Sequence, residues 1–168
     1  VRRRISSGWD PLSSGPGESG LDGRVLCFAF RNNEVYIGGD FKQAVQRDTN
    51  LFLTSNICYW STSDRRYQPL MPNGTNTNYN PRGSITSMLV WRGYLYAAGN
   101  FTDAGGAATG GFARYDFSRQ RQAFNAVGGG IDGSAFALLE IPDGILLAGR
   151  FATAGNVAAA GAAIWNDV

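Results

Sequence analysis

The sequence predicts an all-β chain: a β-propeller segment of about three four-stranded antiparallel blades. Three observations predict it. A glycine is followed sixteen residues later by the glycine of a Gly-x-Phe tripeptide, at Gly23 and Gly39, Gly83 and Gly99, Gly133 and Gly149. An aromatic residue with polar neighbours follows each tripeptide, at Trp60, Tyr115 and Trp165. The unit recurs every 50 to 60 residues, a period at which one repeat is one supersecondary unit of a propeller or solenoid.

The first strand of each unit follows the leading glycine, over 25–30, 85–91 and 135–141. These runs are short and β-rich, and turn signals bound them. Tight turns follow at Asn32 and Asn33, Arg92 and Gly93, Asp143 and Gly144, where two-residue hairpins need positive φ. Second strands are expected over 34–37, 94–98 and 145–148. They end at Gly-x-Phe, where glycine lets the chain bend and the phenylalanine plugs the core. A loop rich in Ala and Gly leads to third strands over 56–61, 111–117 and 162–166, and fourth strands are expected over 66–70 and 122–127. The first unit carries an insertion within 46–54, and the third ends without its fourth strand.

One domain over 1–168 is expected, with blades at about 23–70, 83–127 and 133–168. Residues 8–12 read as a stray fourth strand, because Trp9, Asp10, Pro11 and Leu12 resemble Tyr67, Gln68, Pro69 and Leu70. That strand belongs to a preceding blade or closes a ring. Propellers have about four to eight blades, so three sheets leave one face uncovered at each end. More blades of a longer chain are the favoured covering. Two copies closing a six-bladed ring and a filament of many copies are the alternatives.

Composition bounds the chemistry. Hydrophobic residues make up 43% of the 168, which suits a soluble fold with a core, and no apolar run is long enough for a spanning helix, so no membrane insertion is expected. The net charge is +2, and the triplet Arg2, Arg3, Arg4 reads as a solvated terminus, so nucleic acid is not an expected partner. The chain opens at Val1 with no initiator Met or signal peptide, and reads as a processed or excised piece or an incomplete sequence. There is no histidine, which removes His-based triads, His-ligated metals and the commonest general base. No cofactor is expected.

The pattern from Leu95 to Asp116, with Gly99, Phe101, Thr102, Ala104, Gly105 and then Phe112 to Asp116, resembles kelch-like propeller repeats of cell-surface proteins. Such repeats occur in fungal cortical polarity markers of the Rax type and in bacterial secreted proteins with delta-type repeats. The resemblance runs from Trp9 to Asn166. The first unit departs from it, since Lys42, Gln43, Ala44 and Val45 follow Phe41. The resemblance implies an extracellular or surface-exposed scaffold with no shared catalytic residues.

Candidate sites are weighed against structural roles. Cys27 aligns with Ser87 and Ala137, and Cys58 with Ala113 and Ala163, so both positions ask for a small side chain. With a strand between them their Cα atoms are expected roughly 9–10 Å apart, beyond the roughly 7 Å a disulfide spans. Gly128 to Gly133 matches G-x-G-x-x-G but leads into a strand, so it reads as a turn between blades. Asp10, Asp40, Asp64, Asp103, Asp116 and Asp132 fall mostly in turns or at repeat positions, which disfavours a glycosidase pair. Trp60 and Trp165 read as core; Trp91 breaks the repeat and is the candidate for stacking on a sugar, as in a lectin-like propeller.

Recognition is expected in the segments outside the repeat. Leu51, Phe52 and Leu53 form an apolar triplet in the first insertion, placed in an exposed loop. Tyr79 lies in the second such segment, 71–82, where Asn73 heads a glycosylation sequon. The expected function is a non-enzymatic structural or protein-interaction module at the cell surface or outside the cell. Its partners are other subunits, further blades or a second copy. Carbohydrate binding is the alternative.

Overall fold

In the computed structural model, residues 8, 12, 20–45, 52–70, 80–118 and 123–167 are described, and their regular structure is entirely β. In chain order the strands are β1 (Gly20–Leu21), β2 (Arg24–Arg31), β3 (Glu34–Asp40), β4 (Gln43–Val45), β5 (Phe52–Leu53), β6 (Ile57–Ser61) and β7 (Arg66–Pro69). There follow β8 (Gly83–Trp91), β9 (Tyr94–Phe101), β10 (Asp103–Ala104), β11 (Ala107–Ala108), β12 (Phe112–Asp116) and β13 (Phe124–Ala126). The last five are β14 (Ser134–Ile141), β15 (Gly144–Arg150), β16 (Thr153–Ala154), β17 (Val157–Ala158) and β18 (Ala162–Trp165).

Three antiparallel sheets hold most of these strands. Sheet I has the order β2-β3-β6-β7, sheet II β8-β9-β12-β13, and sheet III β14-β15-β18. In each, neighbouring strands are consecutive members along the chain, so local hairpins supply all the pairing. The turns between first and second strands use positive φ at Asn32 in sheet I and at Arg92 and Gly93 in sheet II.

The sixteen-residue glycine pair has a physical cause different from the expected bend. The second strand does not stop at Gly-x-Phe: β3 runs to Asp40 and β9 to Phe101. Instead the two glycines of a pair face the opposite strand at close range. A Cβ on Gly99 would stand 2.0 Å from the Ser84 carbonyl oxygen, and one on Gly83 would stand 2.1 Å from that of Asn100. The same approach recurs at Gly23 and Gly39 and at Gly133 and Gly149. Beside each pair the first strand carries a bulge, between Val25 and Cys27, Ile85 and Ser87, Ala135 and Ala137. Bulged backbones press together there, and only glycine leaves room. Phe41, Phe101 and Phe151 are buried, as the sequence predicts.

The Ala- and Gly-rich stretch after Gly-x-Phe is a hairpin rather than a loop. In the second unit β10 pairs β11, and in the third β16 pairs β17. The first unit widens this hairpin into the sheet β1-β4-β5. An aspartate before the leading glycine ties the stretch down: Asp22 Oδ1 accepts hydrogen bonds from the Lys42 and Gln43 amides at 2.7 and 2.9 Å. Asp132 Oδ1 accepts from the Ala152 and Thr153 amides, both at 2.8 Å. In the second unit Arg82 holds this place, and its guanidinium pairs with Asp103.

The sheets pack face to face in sequence order. Tyr36 and Ile57 of sheet I meet Ile85, Met88 and Leu95 of sheet II. On the other face of sheet II, Trp91, Tyr96 and Phe112 meet Ile145, Leu147 and Ala135 of sheet III. Buried amides stitch the connection between sheets I and II: Asn56 Nδ2 donates to the Pro81 carbonyl at 3.2 Å, and Asn80 Nδ2 to the Thr54 carbonyl at 2.6 Å. Sheet II is thereby covered on both faces. On the outer face of sheet I, Ile37, Cys58, Trp60 and Tyr67 form a further buried cluster with Phe41, Ala44 of β4 and Leu21 of β1, which leaves the β2 side chains exposed. The outer face of sheet III has no sheet against it among the described residues.

Candidate functional site

The repeat lets each exposed position be compared with buried counterparts. Phe28 stands opposite Ile37, and Phe30 opposite Val35, on the face of sheet I that points away from sheet II. Their counterparts in sheet II, Met88 and Val90, pack against sheet I. Met88 is 7% exposed, whereas Phe28 and Phe30 are 57% and 62% exposed. Val25 is exposed likewise, while its counterparts Ile85 and Ala135 are fully buried. These apolar side chains lie on a surface built like one that sheet II buries.

Sheet III repeats the situation with the opposite face. Leu139 pairs with Leu146 and that with Ile164, on the face turned away from sheet II. Their counterparts Leu89, Tyr96 and Arg114 line the face by which sheet II covers sheet III. Leu139 and Ile164 are 58% and 54% exposed, and Phe136 beside the bulge is open as well. Single exposed apolar residues are ordinary, but rows of them on sheet faces mark interaction surfaces.

A second feature distinguishes sheet III. In sheets I and II the third strand pairs with a fourth, which sets an aromatic ring beside the third-strand aromatic. Tyr67 lies edge-on to Trp60 at 4.9 Å between centroids, and Phe124 lies 5.6 Å from Tyr115. Among the described residues no strand pairs with the far edge of β18, and Trp165 has no such neighbour. A concavity of about 510 Å³ lies there, lined by Val127, Gly128, Leu147 and Trp165 among others. The sheets are also tied edge to edge, since the hydroxyl of Tyr115 donates to the Leu70 carbonyl at 3.2 Å. The hydroxyl of Tyr67 donates in turn to the Leu12 carbonyl at 3.0 Å.

The residues singled out by sequence fare differently. Phe52 and Leu53 form β5, with Ala44 opposite Phe52 and Gln43 opposite Leu53, so they belong to a paired strand rather than an exposed loop. Leu51, Tyr79 and Asn73 lie outside the described residues, as does most of the 8–12 strand; Gly8 and Leu12 are described, neither in a strand. Trp91 is 8% exposed, packed near Tyr96, and the Arg92 guanidinium lies over its ring at 4.3 Å. A sugar needs an open ring face, and this indole offers none. A shallow concavity of about 630 Å³ bordered by Trp91, Arg92 and Glu140 lies alongside.

The cysteines sit on opposite faces of sheet I and are unpaired. Cys27 faces sheet II, with Sγ 3.7 Å from the Ile85 carbonyl oxygen, and Cys58 packs with Ile37 and Trp60 on the other side. Burial pushes the Cys27 thiol up to about 12, and raises that of Cys58 as well. Such thiols are poor nucleophiles.

Several of the described carboxylates are engaged locally. Asp40 pairs with Arg24, Asp167 with Arg114 at 2.8 Å, Asp64 accepts from Ser61, and Asp116 accepts from Ser118. No group of three His, Cys, Asp or Glu side chains among the described residues is arranged to hold a metal ion. Gly128 to Gly130 all have positive φ and lead through an isolated bridge at Ile131 into β14, with no helix to receive a phosphate. No helix among the described residues is long and apolar enough to cross a membrane. No family model matches the chain, and no curated protein matches it.

The exposed rows on β2 and β14 were missed by sequence reasoning, although the alternation carried a signal. Phe28 and Phe30 alternate with Cys27 and Ala29, and both sets are apolar. A strand apolar on both sides asks for a cover on both sides.

Proposed function

We propose that this chain is a non-enzymatic β-propeller segment that serves as a structural or protein-interaction module, at the cell surface or outside the cell. The observation that carries this reading is the two rows of exposed apolar side chains, Val25, Phe28 and Phe30 on β2 and Leu139 with Ile164 on sheet III, whose counterparts in sheet II are mostly buried. A catalyst would present converging polar groups, whereas Asp22, Asp132 and Asp167 serve turns and an ion pair. The serial packing of three sheets supports the propeller architecture, and the kelch-like character of the repeat supports a surface setting.

The test uses a nonpolar reporter dye. The native chain is expected to bind it, and a variant carrying both Phe30→Asp and Ile164→Asp is expected to lose most of that binding while keeping its circular dichroism. A native chain that binds no dye and remains a single 18.0 kDa particle would overturn the reading, because its faces would then be covered from within. Turnover of a glycoside substrate would overturn it too.

A further inference from the structure

We infer that Asn100 carries an N-linked oligosaccharide, attached through its side-chain nitrogen before sheet II closes. The inference rests on the surface or extracellular setting proposed for the chain and names one modification that setting brings. Asn100, Phe101 and Thr102 form an Asn-x-Thr acceptor sequence at the end of β9. Three observations carry the assignment.

The first is the placement of the three side chains. Asn100 and Thr102 are exposed, while Phe101 between them is 3% exposed and packs in the core between sheets I and II. Successive side chains turn to opposite sides, so the two residues that define the acceptor face solvent and the unspecified one is anchored. A bulky, hydrated sugar on Asn100 displaces nothing from the core.

The second is what the repeat asks of these positions. Asn100 stands opposite Ser84, as Asp40 stands opposite Arg24 and Arg150 opposite Ser134. Thr102 has Lys42 and Ala152 as counterparts, both exposed. The phenylalanine is common to the three units and buried in each, so the fold accounts for Phe101. It accounts for neither Asn100 nor Thr102, and of the three units the second alone combines them. In sheet I the same edge holds the Arg24 and Asp40 ion pair at 3.0 Å. In sheet II a neutral amide faces a small serine, and Thr102 Oγ1 donates to its neighbour Asp103 Oδ2 at a long 3.4 Å.

The third fixes the order of events. In the folded sheet Asn100 and Phe101 are paired with Ser84 and Gly83, and a Cβ on Gly83 would stand 2.1 Å from the Asn100 carbonyl oxygen. A transferase must draw the acceptor segment into its own active site, which this ladder and the buried Phe101 forbid. The nascent chain is therefore the substrate. In the transfer, Asn100 Nδ2 bonds to the anomeric carbon of an oligosaccharide carried on a lipid diphosphate. The bond from that carbon to the diphosphate oxygen breaks, the lipid diphosphate leaves with the electron pair, and one Nδ2 proton passes to a base of the transferase.

The experiment sends the whole chain into the endoplasmic reticulum of a eukaryotic cell behind a cleavable leader, and collects both retained and secreted protein. Peptide-N-glycosidase in heavy-oxygen water converts each glycosylated Asn to a mass-tagged Asp, which peptide mass spectrometry reads. The native chain is expected to carry the tag at Asn100 in most molecules. Asn100→Gln and Thr102→Ala are expected to lose it, and Thr102→Ser to keep it at a lower fraction. Asn73→Gln is expected to leave it unchanged, which separates the two acceptor sequences. An untagged Asn100 in the native chain, or a Thr102→Ala chain that keeps the tag, overturns the assignment. The order of events is read with a purified transferase and its lipid-linked oligosaccharide. The folded, unmodified chain is expected to accept no sugar, and the peptide 93–114 cut from it to accept one. A folded chain modified as readily as the peptide overturns that order. An untagged chain that binds the nonpolar dye removes this site alone. A tagged chain that binds no dye and stays a monomer removes the interaction-module reading and leaves the site in place.

Discussion

At the scale of the residue, the glycine pairs are steric requirements. Gly99 has ordinary negative φ, so its need for hydrogen in place of a side chain comes from the Ser84 carbonyl oxygen, which a Cβ would meet at 2.0 Å. Backbone cannot step aside there without breaking the β8 and β9 ladder. Gly99→Ala is expected to cost about 1–3 kcal/mol or more in urea denaturation. Gly20→Ala, with nothing within 4 Å of the new Cβ, is expected to stay within about 0.5 kcal/mol. Asp132 is the other residue whose role is local. The Thr153 amide, and then that of Ala152, hold its carboxylate below the usual 3.8. The tie is therefore complete above that pH and is lost as pH falls through the folded-state value. The protection factors of the Ala152 and Thr153 amides, taken against their intrinsic exchange rates at each pH, are expected to fall across that acid range in the native chain. In Asp132→Ala they are expected to be low at every pH, and equal protection in the two proteins would remove the role assigned to the carboxylate.

At the scale of the element, the fourth strand is the part that decides whether a sheet has a finished edge. In sheet II, Phe124 on β13 is almost wholly buried against Tyr115 and the Leu95 side of the core, so Phe124→Ala is expected to cost about 3–5 kcal/mol. A loss below about 1 kcal/mol in urea denaturation would mean that β13 merely decorates the sheet. Elements also differ in how legible they were. The first, second and third strands could be read because the glycine pair recurs at a fixed distance, a turn and an aromatic follow in the same order, and each run is largely apolar. The hairpins β10 with β11 and β16 with β17 could not, since two-residue strands of Ala, Thr, Val and Asp show no alternation. Phe52 and Leu53 look like an apolar loop in sequence because nothing local announces that β4 will pair with them. Trp91 was noticed for breaking the repeat. Trp91 packs in the core between sheets II and III, where Tyr96 and Phe112 stack at 5.7 Å, and does not face an open site.

At the scale of the whole molecule, the two thiols report on different layers. Cys27 is enclosed between sheets I and II, and Cys58 lies under Trp60 and Phe41 on the opposite side of sheet I. With the Cys27 thiol raised to about 12 by burial, its alkylation at mildly alkaline pH is expected only when sheet I lifts from sheet II. Mass spectrometry of the alkylated native chain is expected to find both thiols protected. Prompt labelling of Cys27 would mean that the interface described here is open. What sequence gives at this scale is limited for a physical reason. Alternation separates the two faces of β2, but both are apolar, and only the packed sheets tell which face Ile85 and Met88 cover and which is left to Phe28 and Phe30.

The serial pairing within the sheets has one more consequence. Because no strand of sheets I, II or III is borrowed from another of the three, each sheet can leave the row without unthreading its neighbours. Heat or denaturant should therefore act on the molecule as on a short row of dominoes, removing an outer layer while the covered middle one stands. A single unfolding midpoint for the chain would be an average over layers that part company at different points.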